Sequence, residues 1–254
     1  IPSSAVSVSI RHYPALVFSL TLLGSAISLP LSAQQADTTQ RLHFTGDIGA
    51  VYGSGNTNVT TFNLGEKVGY AIRKWSITQS LQTIYGKSNG VESANEWHAL
   101  VRGDRALDDG PSVYVLGAFD RNPYGGLARR FEEGLGLGDK ALRAKRDTLA
   151  VQAGLSFTQQ RNTDDSLATF PSARGELTYT HAFTKTSYVL QDVEVLPDLR
   201  RGRNLRLNST SALVAPLSKR IALKVSYVVR FDNLPPPGFK KTDKLLTSGL
   251  QVTF

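Results

Sequence analysis

IALKVSYVVRFD, residues 221–232, is the stretch on which the reading of the fold turns. Ile221, Leu223, Val225, Tyr227, Val229 and Phe231 fall on one parity, and Ala222, Lys224, Ser226, Arg230 and Asp232 on the other. A two-residue period is that of a strand with two unlike faces. A dry core would have to desolvate Lys224, Arg230 and Asp232 at high cost. A hydrated interior, with the apolar parity turned outward, accepts both faces.

The same period recurs along most of the chain. It predicts strands near 41–53, 58–71, 74–87, 92–106, 112–121, 130–139, 147–160, 171–184, 187–196, 204–216, 219–232 and 241–254. The sixth, in FEEGLGLGDK, and the ninth, around Val189, Leu190, Val193 and Val195, alternate most poorly. In GAVYGSGNTNVTTFNLG, residues 49–65, the Gly- and Asn-rich tip invites a phosphate-cradle reading. That reading needs an amphipathic helix after the glycines. Both flanks alternate instead, so Ser54, Gly55, Asn56 and Asn58 form a hairpin tip.

The connections carry a second signal. After even strands they are tight, as around Arg73, Lys185 and Ser218; after odd strands they are long and polar, as in QRNTDDSLATFP and DNLPPPGFKKTD. Tyr52, Tyr70, Trp75, Tyr85, Tyr179, Phe183, Tyr188 and Phe231 sit near strand ends, as an interfacial girdle would. Strands of about 10 to 14 residues exceed the usual length in soluble sheets. The expectation is an all-β, antiparallel transmembrane β-barrel of about twelve strands over residues 41–254, with short periplasmic turns and longer extracellular loops. A soluble sandwich or lipocalin-like barrel, acting as a periplasmic binding protein, is the alternative, and it would place the apolar parity inside.

Composition is compatible with this. The charged fraction is 20% and the mean hydropathy −0.18. No segment from Asp37 onward has the roughly 18 apolar residues of a spanning helix. Arg11 and His12 precede an apolar run that ends at Leu31-Ser32-Ala33. Residues 1–33 therefore have the layout of a secretory signal peptide, with 34–40 as a short linker; an uncleaved anchor helix is the alternative. The absence of Cys excludes disulfides and thiol chemistry. Removing the leader takes away Arg11 and no acidic residue, lowering the formal charge from +8 to +7. For an exported chain, the partners expected of that charge are outer-membrane lipid and lipopolysaccharide rather than nucleic acid.

The candidate site is the lumen. Asp47, Glu96, Arg102, Asp104, Arg174, Glu176, Arg206, Lys224, Arg230 and Asp232 fall on inward parities and carry both signs. They either line a path for ions or small solutes or form an ion-pair network that holds a narrow barrel shut. Arg200, Arg201 and Arg203, in an expected external loop, are candidates for lipopolysaccharide contact, against the plainer reading of solvated loop charge. Catalysis finds little support. The mature chain offers His43, His98 and His181, without HExxH or a His pair at metal-ligand spacing. No catalytic residue, cofactor or metal is expected; a lipid-modifying outer-membrane enzyme is the alternative.

The chain ends LLTSGLQVTF, with Leu246, Leu250, Val252 and terminal Phe254 on one face. This looks like the C-terminal signal that the barrel-assembly machinery reads. Together with GDIGAVYGSGNTN, RNPYGGLARRFEEGLGLG, LPDL and SYVVRFDNLPPPGFKKTD, it resembles the YdiY-like salt-induced outer-membrane proteins, domain of unknown function 481. The resemblance spans roughly Arg41 to Phe254 and implies a barrel in the outer membrane of a Gram-negative bacterium. It brings no catalytic residues. Its name implies a role in salt or osmotic adaptation, by envelope maintenance or by passage of small solutes.

Overall fold

The computed structural model describes residues 41–53, 59–107, 110–184, 186–202 and 204–254, and over them the chain is a closed barrel of twelve antiparallel strands. They are β1 (Arg41–Gly53), β2 (Val59–Ile72), β3 (Trp75–Ser88), β4 (Val91–Ala106), β5 (Ser112–Asn122), β6 (Leu127–Arg143), β7 (Asp147–Asn162), β8 (Leu167–Ala182), β9 (Tyr188–Pro197), β10 (Leu205–Pro216), β11 (Ile221–Asp232) and β12 (Thr242–Thr253). Each strand pairs with its neighbour in sequence, and β1 pairs with β12 to close the ring. Closure gives every strand a neighbour on both sides, as a strand protein in hydrocarbon requires. The leader and linker expected at 1–40 lie outside the described residues, as does the tip at 54–58. Its flanks pair from Gly53 opposite Val59 down to Arg41 opposite Ala71, as the hairpin reading requires.

The two faces are inverted relative to a water-soluble barrel. Leu246 is 66% exposed on the outside, whereas Arg206 is 5% and Glu132 7% exposed on the inside. Every named inward candidate keeps its expected side: Asp47 pairs with Gly65 and Gln251, Lys224 with Val214 and Gly249, and Arg230 with Asn208 and Asp243. An apolar exterior around a charged interior is the reverse of the soluble alternative, which would place the apolar parity inside.

Three expectations need correction. Strand β6 runs over Leu127–Arg143, well past the predicted 130–139 at both ends. Gly134, Gly136 and Gly138 depress its sequence signature, yet the missing side chain of Gly136 makes room for Tyr114, and those of Gly134 and Gly138 for Leu116 and Gln152. Strand β8 begins at Leu167, not at 171, because its pairing with β7 runs on to Leu167 opposite Arg161, past Gly175 opposite Val195, where its continuous pairing with β9 stops. Beyond it, the side of Pro171 that lacks an N–H faces no strand, and only the N–H of Leu199 donates to its carbonyl, at 2.9 Å. The loop asymmetry is also smaller than expected. The polar GKSNGVE segment is a turn at Asn89–Gly90 between β3 and β4, and RNPYGGLAR holds one 3-10 turn at Pro123–Gly125, capped by Asn122. Polar sequence there belongs to strands that run on beyond the apolar belt.

Candidate functional site

An aromatic wedge divides the lumen. Tyr114 on β5 points inward and is 1% exposed. It lies over Gly136 of β6 and Gly154 of β7, where an added Cβ would come within 2.7 and 2.6 Å of its hydroxyl oxygen. Only glycine leaves that shelf open. The Arg102 guanidinium stacks 4.2 Å from the ring centroid, a geometry the ring quadrupole favours. Arg102 also donates to Asp104 through Nε (2.9 Å) and Nη2 (2.6 Å), and through Nη1 to Gln152. Arg174 on β8 donates to the Tyr114 hydroxyl (3.3 Å), to Glu176 (2.6 Å) and to Glu194 of β9 (2.7 Å). Five strands are thereby cross-linked through one ring.

Smaller networks complete the lining. Arg206 of β10 reaches across to Glu132 of β6 at 2.8 Å and Thr158 of β7 at 3.0 Å. Arg230 holds Glu96 at 2.6 Å, and His98 Nδ1 lies 2.6 Å from Asp120. Lower down, Lys224 holds Asp47, which also accepts from Gln251 at 3.0 Å. Asp232 sits 4.0 Å from Arg130 at the rim of the longer connections.

Space remains beside the wedge. A cavity of about 740 Å³ is lined at one end by Pro235, Pro236 and Lys241, past β11, and at the other by His43, Tyr188 and Gln251. Toward the rim of the longer connections it reaches Asp120, Arg130 and Gln160. At the level of the wedge, Arg102, Tyr114 and Gln152 are absent from its wall while Arg174 and Glu176 of β8 border it, so the open path runs along β8 to β12 and β1 to β3.

All six of the named lumen candidates, Asp47, Glu96, Arg102, Lys224, Arg230 and Asp232, therefore face inward, but each is already engaged with a partner. Tyr188 departs from the girdle reading: it pairs with Val214, lines the cavity, and its hydroxyl stands 3.5 Å from Gln251. Tyr52 has no described side chain. Missed from sequence are Tyr114, Asp120, Arg130, Glu132, Asp192 and Glu194, which sit on β5, on the poorly alternating β6 and β9, or face partners that only register reveals. Arg200 and Arg201 are held at the loop after β9, where Asp198 accepts from both backbone N–H groups and the Arg200 guanidinium donates to the Thr169 carbonyl at 3.0 Å. Arg203 lies outside the described residues. His181 faces outward beside Phe183 and, with Tyr179, bonds Asp147. Among the described residues no group of three His, Asp or Glu side chains could hold a metal ion.

Comparison with solved structures finds other barrels. The NanC porin shares 11% identity and a TM-score of 0.47, over 82% of this chain and 97% of that one. The translocator domain of the autotransporter NalP from Neisseria meningitidis shares 14% identity at 0.43, over 84% and 86%. An anion-selective porin from Comamonas acidovorans shares 10% at 0.40, over 85% and 100%. No curated protein matches the chain in sequence. A family model does: it is described as protein of unknown function, DUF481, it matches residues 46–254, and the chain belongs to that family.

Proposed function

We propose that this barrel sits in a bacterial outer membrane and passes ions and small polar solutes. The observation that carries the proposal is the cavity that bypasses the wedge, bordered by charged and polar groups from one rim nearly to the other. A structural plug alone would fill that side as the wedge fills the opposite wall, because protein interiors otherwise pack without voids. The exterior supports the membrane setting, with Leu135, Leu137, Val115 and Leu246 all more than half exposed on the outside. Residues Leu250, Val252 and Phe254 close the barrel at its C-terminal strand, and their recognition by the assembly machinery belongs to the same proposal. So does a role in salt adaptation, which rests on the family resemblance: a deletion strain would then grow more slowly at high salt and recover with the gene restored.

Conductance of the refolded protein in a planar lipid bilayer tests passage, with heat-modifiable gel mobility reporting the folded barrel. Discrete steps that respond to substitution of lumen residues are expected. A folded barrel that stays silent would overturn the proposal.

A further inference from the structure

One polar pair lies on the wrong face. Glu66 of β2 shares its parity with Phe62, Leu64, Val68 and Tyr70, and Gln79 of β3 shares its own with Trp75, Ile77 and Leu81. Phe62, Leu64, Trp75 and Ile77 are all exposed on the apolar exterior. Glu66 and Gln79 therefore project toward lipid, where Gln79 Nε2 donates to Glu66 Oε1 at 2.8 Å. Aromatic residues bracket the pair on both sides: Tyr70 and Trp75 toward the short-turn rim, Phe62 and Tyr85 toward the other. It sits at mid-belt, where no headgroup reaches.

Carboxylates in hydrocarbon are costly and find partners. The internal bond leaves Glu66 Oε2 and Gln79 Oε1 as spare acceptors and one amide N–H as a spare donor. Acyl chains can satisfy none of these. A second copy related by a twofold axis can, because its amide donor meets the first copy's acceptors and the reverse holds by symmetry. On the β4 side the surroundings are low, with Ala99 and Gly103 diagonal to Gln79 and Val101 opposite it; on the β1 side the Phe44 ring lies against Gly46, opposite Glu66. Small residues around a polar centre are what association within a bilayer uses. Two other sets of lipid-facing polar groups differ. Gln191, Ser209 and Ser211 satisfy one another at 2.9 and 2.5 Å. Glu133 sits next to the upper aromatic row, opposite Phe157, where its carboxylate can reach the interface.

We propose that the outer face of β2 and β3, centred on Glu66 and Gln79, is the surface through which two copies of this barrel associate in the membrane. The chain has no cysteine, so a single introduced one is diagnostic. Leu81→Cys lies beside the pair, and Leu155→Cys on β7 gives a lipid-facing control. In the full-length protein refolded into phosphatidylcholine vesicles, mild oxidation should give a disulfide-linked dimer with Leu81→Cys and not with Leu155→Cys. Adding Glu66→Leu and Gln79→Leu should lower that dimer roughly tenfold while leaving the heat-modifiable fold intact. Equal cross-linking at both sites, monomer at both, or capture in whole cells of a different protein by Leu81→Cys would each overturn it. The conductance result is read separately, since a silent barrel can still pair.

Discussion

Arg206 and Glu132 show how much a single inward residue can carry. Their side chains are 6% and 8% exposed, and Arg206 Nε has no hydrogen-bond partner. An ion pair taken out of water is a weak net stabiliser, but removing one partner strands the other. Glu132→Leu should therefore destabilise the barrel by about 3–5 kcal/mol, and the Glu132→Leu, Arg206→Leu double variant should recover most of that loss. Urea titration followed by the folded gel band measures both. Tyr114 offers the complementary case. Tyr114→Ala should cost about 3 kcal/mol and raise single-channel conductance, because it removes the ring that fills the lower lumen and frees Arg102 and Arg174 to solvent. A stable variant with unchanged conductance would mean that the wedge does not limit the path.

At the scale of elements, the seam is the weak link. Strands β1 and β12 pair only from Thr45 opposite Thr253 to Gly49 opposite Gly249, with Phe44 and Phe254 exchanging backbone bonds of 3.1 and 3.0 Å just below. A Cβ on Gly249 would lie 2.8 Å from the Gly49 Cα. Gly249→Val should therefore force the strands apart and cost about 1–3 kcal/mol, read as a smaller folded fraction after refolding. Phe254→Ala loses the ring packed 6.1 Å from Phe44 and under Arg220, yet keeps the backbone bonds, so a milder loss is expected. Elements were legible in sequence where one face is wholly apolar, as in β11. They blurred in β6, where glycine replaces side chains to admit Tyr114, and at Pro171, where a strand outruns its neighbour. The lumen's membership was legible by parity alone: Asp47 and Lys224 could be placed inside. Their pairing could not, because a contact from β11 to β1, or from β10 across to β6, depends on register and tilt around the whole ring.

For the molecule as a whole, the lumen's charge is uneven around its circumference, and that sets the sign of its selectivity. Beside the wedge, Glu176, Asp192 and Glu194 cluster around the guanidinium of Arg174, with Arg102 Nη1 3.9 Å from Glu176 on the other side, while Thr178 donates to Asp192 at 2.7 Å. Lys67 on β2, six strands from β8 in a ring of twelve, faces them as an exposed inward cation. One more carboxylate than cation therefore remains at that level, since Arg102 is offset by Asp104 and Lys224 by Asp47. A solute slipping past the wedge crosses this field in a narrow space walled by low-dielectric protein, which strengthens it relative to bulk water. The reversal potential across a salt gradient should show a cation preference of roughly a few-fold near 0.1 M salt, falling toward unity at 1 M, where the screening length is only about 3 Å. Asp192→Asn should abolish that preference, and Lys67→Gln should enlarge it. Both positions border the cavity; Asp192→Asn keeps a side-chain oxygen that can accept from Thr178, and Lys67 makes no bond between strands among the described residues, so the barrel should fold as before. An anion preference in the unaltered protein, or no response to either substitution, would place the ion path elsewhere than between β2 and β9.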